Sequence, residues 1–567
     1  LCLDKSYNEF DVSVFSGSAV YATTATITSR GSTDIILRKN SAFGNFLWYR
    51  QIGSKGEDNV YKIVADQSNN IYISGTFTDS LYVGSTAVLS NNNDGIAAFI
   101  LKFDNDGGLI WAHKFESELD VSPTVMEVSK DGFVYIGGNY RGNTQFSPLT
   151  VHQVSSAGGY DMFLTKLGTL DGSLSFVETW GSTSDEYVRD MSVDSTNQVV
   201  MTGDFRDILD FDPSAQEFLL APQGFTDCFL MKVSAFGALT WAKSFGGEGL
   251  DGGYALKLDN QNKIILTGKF SETVNFGSIS KTAKGGSDIF ITKLDQDGNI
   301  VWVDAIGSTG NDQGTALFTS STGLIYAGCE YRDTVDFNVS IVRKNASISN
   351  GGSDISIVAL NQDGSYNAHY AFGGIANDII NGVVVKPNGE IISAGGFGAV
   401  IDFDPSSTVI NVFSSGGIDG YVSNVFLCIN PYLKTVTVPD PIICYGERGI
   451  VQITEGYLNH ATQWSWQKDS CDNITFASGT FLNLPLTKSI DYYIKGWGGC
   501  VVASECTKAS IKVHTDTLKY QNIHLCQGDT VHVGNHRYFA AGTYVDSLVT
   551  MAGCDSLLIT DISILPS

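Results

Sequence analysis

One segment constrains the fold more than any other feature, because the chain repeats it: GGSDIFITKLDQDGNIVWVDAIG, Gly285 to Gly307. Related versions are GGYDMFLTKLGTLDGSLSFVETWG from Gly158, GFTDCFLMKVSAFGALTWAKSFG from Gly224 and GGSDISIVALNQDGSYNAHYAFG from Gly351. Aligning on the residue after the Gly pair gives register positions at Asp34, Ala97, Asp161, Asp227, Asp288, Asp354 and Asp419. The steps are 63, 64, 66, 61, 66 and 65, averaging about 64 residues. A steady period of this length means one supersecondary unit copied many times.

Each copy contains four short runs rich in β-branched and aromatic residues; around Asp288 they are DQGTALFTSS, GLIYAGCEY, DIFITKLD and NIVWVDAIG. Turn signals such as DQDGN, KDG and PNG separate adjacent runs, Gly supplying the positive φ that a tight turn needs. No long helical periodicity appears. Four antiparallel strands repeated about a centre predict an all-β fold, a β-propeller. First strands begin near Asp11, Val60, Thr124, Val188, Tyr254, Thr315 and Gly382, which predicts seven blades. Trp48, Trp111, Trp241 and Trp302 stand fourteen residues after a register position, where a large flat side chain can cover the seam between blades.

The last copy has a third strand at GYVSNVFLCIN but no Trp-type fourth strand, while LCLDKSYNEF precedes the first blade as an orphan run. The expectation is that Leu1–Lys5 closes the ring as the outer strand of the seventh blade, since sheets avoid open edges. Cys2 would then lie beside Cys428, close enough for a disulfide. Cys228 and Cys329 fall in different blades and strand types and are expected to be free and buried.

The propeller is expected over residues 1–432, followed by the Pro-bearing stretch TVTVPDP. Alternating strands, a central Trp and flanking cysteines over 433–516 predict an Ig-like β-sandwich. Cys444, Cys471, Cys500 and Cys506 permit three pairings, of which 471–500 with 444–506 is preferred. Residues 517–567 read as a small β module stapled by Cys526 and Cys554, since so short a chain buries little core. Six of the ten cysteines lie between Cys444 and Cys554, a density that predicts an oxidising, extracellular setting.

The 35 Lys and Arg against 60 Asp and Glu give a net charge of −25, which argues against nucleic acid as a partner. No apolar run of membrane-spanning length occurs, so membrane insertion is not expected. The chain begins with Leu, which suggests a trimmed precursor.

The repeat, carried by GGSDIFITKLDQDGNIVW with the trailing TVDF and the variants LDFDPS at Leu209 and VIDFDPS at Val400, resembles the SBBP-type β-propeller repeat of bacterial secreted proteins. The Cys-rich modules are similar to those following such propellers in surface proteins of the Bacteroidota. That resemblance implies the type IX secretion machinery as a partner in export, and a chain continuing past Ser567 into a sorting domain. It implies no reaction.

The repeated Gly-Gly-x-Asp puts a carboxylate at the start of each third strand, where it can accept from loop N–H groups and fix the turn. Asp210 with Asp212, and Asp402 with Asp404, are paired carboxylates one residue apart. On one strand face they could hold Ca²⁺, but most copies lack the pair, so a loop turned by Pro is preferred. His532 and His536 are the one close His pair; no Glu follows the first as a zinc helix would require. No nucleophile elbow or phosphate-cradling Gly loop occurs, so no catalytic or cofactor-binding residue is assigned. The leading expectation is a non-catalytic cell-surface platform whose partners are surface proteins, glycans or other copies of itself. The alternatives are a glycan-active enzyme with its site at the propeller mouth and a subunit of an extracellular filament or sheath.

Overall fold

The computed structural model describes the chain apart from residues 22–24, 93–94, 148–151, 339–345, 405–409, 472, 502–505, 516–517, 550–552 and 566–567. The described residues are strands and turns without a helix. They divide into two compact units, Leu1–Leu427 and Cys428–Ser567. Residues 433–516 and 517–567 both fall in the second unit.

In the first unit the third strands begin at the register residues: Asp34–Asn40, Ala97–Phe103, Asp161–Gly168, Asp227–Val233, Asp288–Leu294 and Asp354–Leu360. Each pairs antiparallel with a second strand on one side and an outer strand on the other. Neighbouring sheets cover both faces, so these strands are buried at nearly every residue and read as continuous apolar runs.

The innermost strands are Cys2–Leu3, Asn59–Ala65, Asp120–Val128, Glu186–Val193, Gly252–Leu258, Gln313–Thr319 and Ile379–Val385. Each touches the next in this order. The last meets the first sheet through Lys386, whose Nζ donates to Glu9 Oε1 at 2.9 Å and to the Ala42 carbonyl at 2.8 Å. The sheets thus close into a ring, the arrangement of a β-propeller.

The opening residues do not complete the last sheet, contrary to expectation. Cys2–Leu3 pairs with Glu9–Phe10 and is the innermost strand of the first sheet, which makes the run near Asp11 a second strand. The cause is a turn. The Asp4 carboxylate accepts from the Ser6 and Asn8 N–H groups, and Asp66 does the same with Ser68 and Asn70. Tyr7 (φ 59°) takes the left-handed conformation held by Asn69, Asn197 and Asn262 in the matching turns of other sheets. The last sheet consists of Ile379–Val385, Glu390–Asp402 and Asn411–Phe426, and among the described residues no strand lies outside the third.

The tryptophans cover the seams. Trp111 Nε1 donates to the Thr169 carbonyl and Trp302 Nε1 to that of Gln362, each in the turn of the following sheet.

In the second unit, one sheet joins Tyr432–Thr437, Arg448–Tyr457 and Phe481–Pro485. Another joins Ile442–Cys444, Thr507–His514, Ile490–Trp497, Gln463–Lys468 and Ala477–Ser478. They share a core around the fully buried Trp466, with Val451, Tyr492, Ile494 and Ile511. A third sheet joins Leu518–Cys526, Asp555–Leu565 and Gly542–Val549.

Three disulfides form: Cys428–Cys500, Cys444–Cys554 and Cys471–Cys506. These replace all four expected pairings, and strand direction explains why. Cys2 is held in the innermost strand of the first sheet. Gln463–Lys468 runs antiparallel to Ile490–Trp497, which sends Cys471 and Cys500 to opposite ends of that pair. Cys444 lies level with His514, at the far end of the strand that Cys506 precedes. Leu518–Cys526 runs parallel to Asp555–Leu565, with Cys526 level with Leu565, so Cys554 stands at the other end. Cys2, Cys228, Cys329 and Cys526 are not bonded; Cys228 and Cys329 are buried and Cys526 is exposed.

Candidate interaction face

Inner and third strands begin at the same end of the ring, called the mouth here. The third-strand aspartates staple its loops. Asp34, Asp161, Asp227 and Asp354 each accept from the N–H four residues earlier, at 2.8–3.1 Å. The Gly closing the outer strand makes room for the carboxylate: a Cβ on Gly307 would stand 2.2 Å from the Asp288 carboxyl carbon. Burial, only partly offset by loop N–H groups, pushes Asp161 and Asp288 up to about 6 and Asp354 up to about 7.

Sequence reasoning missed a second acid, 24 or 25 residues later, at the head of the next inner strand: Asp58, Glu186, Asp251, Asp312 and Asp378. Each accepts from the N–H four residues before it, at 2.6–2.9 Å. The constant spacing was the signal. In four sheets the residue before the third-strand Asp links the two sets. Thr33, Thr226, Ser287 and Ser353 donate from Oγ to the carbonyls of Asp58, Asp251, Asp312 and Asp378, at 2.9–3.4 Å. Four of the seams between successive sheets are thereby latched at the mouth.

A polar cavity of about 450 Å³ opens there, lined by Lys269, Asn311, Gln313, Glu330, Arg332 and Asn377 among others. Its carboxylates are committed. Asp312 accepts from the Arg332 N–H through Oδ1 and from the Ser308 N–H and hydroxyl through Oδ2. Glu330 accepts from Gln313 Nε2 at 2.8 Å and the Ile380 N–H at 3.3 Å. Burial raises both carboxyls above their ordinary range. Arg332 donates to Asn377 Oδ1 at 3.1 Å.

A belt of cations and tyrosines leads into this cavity. Arg141 lies 5.0 Å from the Tyr160 ring, and the Tyr160 and Tyr187 centroids are 5.7 Å apart. Arg189 sits between Tyr187 (4.8 Å) and Tyr254 (5.7 Å), held by Asp204 at 2.7 Å. Lys269, at the cavity wall, is 5.6 Å from Tyr254. Such a surface can stack apolar faces and donate hydrogen bonds at once. These residues follow no fixed register, which is why the repeat did not single them out.

At the ring's centre Asp190 joins sheets that are not neighbours. Its Oδ1 accepts from Lys62 Nζ at 2.8 Å and its Oδ2 from the Leu256 N–H at 2.9 Å. Burial opposes its ionisation, but Lys62, Lys257 and the Leu256 N–H outweigh that and hold the carboxyl below its ordinary value.

The calcium candidates serve their own loops. Asp210 Oδ1 accepts from the N–H groups of Asp212 and Phe218, and Asp212 Oδ1 from that of Ser214. Asp402 Oδ1 accepts from the N–H groups of Asp404 and Ile410, while Pro405 lies outside the described residues. Among the described residues the grouping with three metal-binding side chains is Cys428, His460 and Cys500. There the sulfurs are bonded to each other and His460 Nδ1 accepts from the Ile429 N–H. His536 pairs with Asp546 at 2.8 Å rather than with His532.

No family model matches the chain. It is 23% identical over 479 residues to the uncharacterized WD repeat-containing protein L264 of Acanthamoeba polyphaga mimivirus, covering 70% of this chain and 34% of that protein. It is 20% identical over 367 residues to the regulatory protein FlaEY of Caulobacter vibrioides, covering 59% and 37%. The chain therefore spans about a third of the length of the curated relatives it matches. Similar solved structures include a protein of unknown function from Bacteroides caccae (9% identity, TM-score 0.28, 59% of this chain and 88% of that one). Another is the quinohemoprotein alcohol dehydrogenase of Comamonas testosteroni (10% identity, TM-score 0.34, 76% and 77%). The repeated register, the ring of sheets and the likeness to a WD repeat-containing protein together make this chain a β-propeller repeat protein.

Proposed function

We propose that the first unit is a seven-bladed β-propeller working as a rigid, non-catalytic interaction platform on the outside of a cell. Residues 433–516 serve as an Ig-like spacer, with the module of 517–567 beyond it. The observation that carries the reading is the stapled mouth: carboxylates and Ser/Thr latches pin its loops, and the cavity acids Asp312 and Glu330 have their oxygens engaged by donors. A face held this stiffly loses little entropy on binding. The belt of Tyr160, Tyr187, Arg189 and Tyr254 offers the contacts, to surface proteins, surface glycans or other copies of the chain. Three disulfides favour an oxidising compartment, in keeping with export through the type IX machinery that the sequence resemblance implies.

The test presents the full chain to arrays of surface glycans and extracellular proteins. Arg189→Ala, Tyr254→Ala and Arg332→Ala should each weaken retained binding about tenfold or more, with melting unchanged. Hydrolysis of an oligosaccharide by the wild-type chain, abolished in Glu330→Gln, would replace this reading with the glycan-active enzyme. Regular end-to-end assembly of the purified chain would replace it with the filament subunit.

A further inference from the structure

In a chain of net charge −25, two cations in the wall of the mouth cavity stand without a carboxylate. Lys269 is half-buried, and among the described residues its Nζ makes no hydrogen bond and no ion pair. The Tyr254 ring lies 5.6 Å from it. The Arg332 guanidinium donates to Asn377 Oδ1 at 3.1 Å and pairs with no acid among the described residues. Elsewhere in the unit, lysines on the strands hold an acid close: Lys62 with Asp190, Lys232 with Asp194 and Lys293 with Asp259, at 2.8–2.9 Å. The acids of the cavity itself do not answer its cations. The Asp312 oxygens face Ser308 and the Arg332 N–H, and those of Glu330 face Gln313 and the Ile380 N–H.

The belt beside the cavity adds separate observations. Tyr187 and Tyr254 are half-buried, and their hydroxyls make no hydrogen bond among the described residues. Arg141 pairs with Asp120 through Nη2 at 2.7 Å, yet its Nε is buried without a hydrogen-bond partner. Tyrosines and cations also alternate along the belt, from Arg141 past Tyr160, Tyr187, Arg189 and Tyr254 to Lys269. A ligand that uses all of this needs C–H faces to lie on the rings, hydroxyls for the idle phenols, and carboxylates for Lys269 and Arg332. A sugar acid has all three. Acidic peptides are taken instead by clustered arginines, and here rings separate one cation from the next.

We propose that the mouth binds a glycan built of uronic acids. Lys269 and Arg332 hold one carboxylate in the cavity, and the sugars that follow lie along Tyr254, Tyr187 and Tyr160. The inference rests on the platform reading above and names its ligand. Arg332 contributes the planar fork that matches a carboxylate, and Lys269 a compact charge. The cavity, about 450 Å³, falls within the roughly 300–1,000 Å³ of small-ligand sites.

The probe is fluorescein-labelled hexagalacturonate, titrated with the full chain and followed by anisotropy, beside the same oligosaccharide with its carboxyls reduced to alcohols. Saturable binding of the acid form with a Kd of roughly 1–100 μM is expected. Reducing its carboxyls should weaken it about tenfold or more, and so should Lys269→Met or Arg332→Gln in the chain, with melting unchanged. Equal affinity for the acid and reduced forms, lost in Tyr254→Ala, overturns the acidic ligand and leaves the platform reading standing. No saturation by the acid form up to about 1 mM overturns it too. Tighter binding of labelled hexaglutamate overturns it in favour of an acidic peptide. Binding that no substitution in the belt or cavity alters overturns both this inference and the platform reading of the face.

Discussion

Asp190→Asn tests whether the ring is held across its centre as well as around its rim. The substitution keeps the side chain's shape and an acceptor for the Leu256 N–H, and removes the charge facing Lys62 at 2.8 Å. At an effective permittivity near 20, two unit charges about 3 Å apart attract by roughly 5 kcal/mol. Desolvation returns part of that. Removing one partner of a buried pair costs about 3–5 kcal/mol, and the 28% exposure of the Lys62 side chain places this pair at the lower end, about 3 kcal/mol. With roughly 2.1 cal/mol/K of unfolding entropy per residue, the 427 residues of the unit give about 0.9 kcal/mol/K. The melting temperature should therefore fall by about 3 °C if the unit melts cooperatively. Scanning calorimetry between pH 3 and 8 provides the assay. A carboxyl held below its ordinary value stabilises the fold above the unfolded pKa of about 3.9, and that contribution disappears as pH falls through the lower folded value. The gap between wild type and variant should stay constant from about pH 5 to 8 and close below about pH 4. Lys62→Met in the Asp190→Asn background should recover part of the loss. A shift under about 0.5 °C at neutral pH, or a gap that widens on acidification, would refute a central ion pair of this strength.

The mouth predicts the opposite pH trend. Asp161, Asp288 and Asp354 sit at about 6 to 7, above their unfolded values, so the folded state holds more protons between about pH 4 and 7. Acidification across that window should stabilise the first unit, and Asp288→Asn, which keeps an acceptor, should flatten the slope in melts recorded pH by pH. Gly307→Val drives its side chain into the Asp288 carboxylate, whose carbon would lie 2.2 Å from the new Cβ. A loss of about 2–4 kcal/mol in urea unfolding is expected, larger than for Gly277→Ala at a turn with open space around it.

The repeat made the start of the third strand legible to the residue in six sheets, five of them because Asp288 and its counterparts must sit where a Gly allows a buried carboxylate; in the last sheet the strand begins at Asn411, ahead of Asp419. The opening strand was misplaced for a reason of the same kind. Asp4-Lys-Ser-Tyr-Asn8 matches Asp66-Gln-Ser-Asn-Asn70, but Tyr7 stands where Asn is the usual left-handed residue, so the inner hairpin was hidden. The disulfides could not be read because Cys471, Cys500, Cys526 and Cys554 follow strand directions that spacing does not fix. The candidate surface was least legible. Tyr187, Arg189 and Tyr254 meet only once the inner strands are wrapped side by side.

The Ser/Thr latches work over a separation of 25 residues, from Thr33–Asp58 to Ser353–Asp378. The closing seam joins residues 377 apart, Lys386 and Glu9, so it uses a side-chain contact where its neighbours use strand-head pairs. A circlet fastened this way has a clasp. Thermal breathing or mechanical load should part it there first, letting the chain uncoil from one place while the remaining sheets keep their stacking.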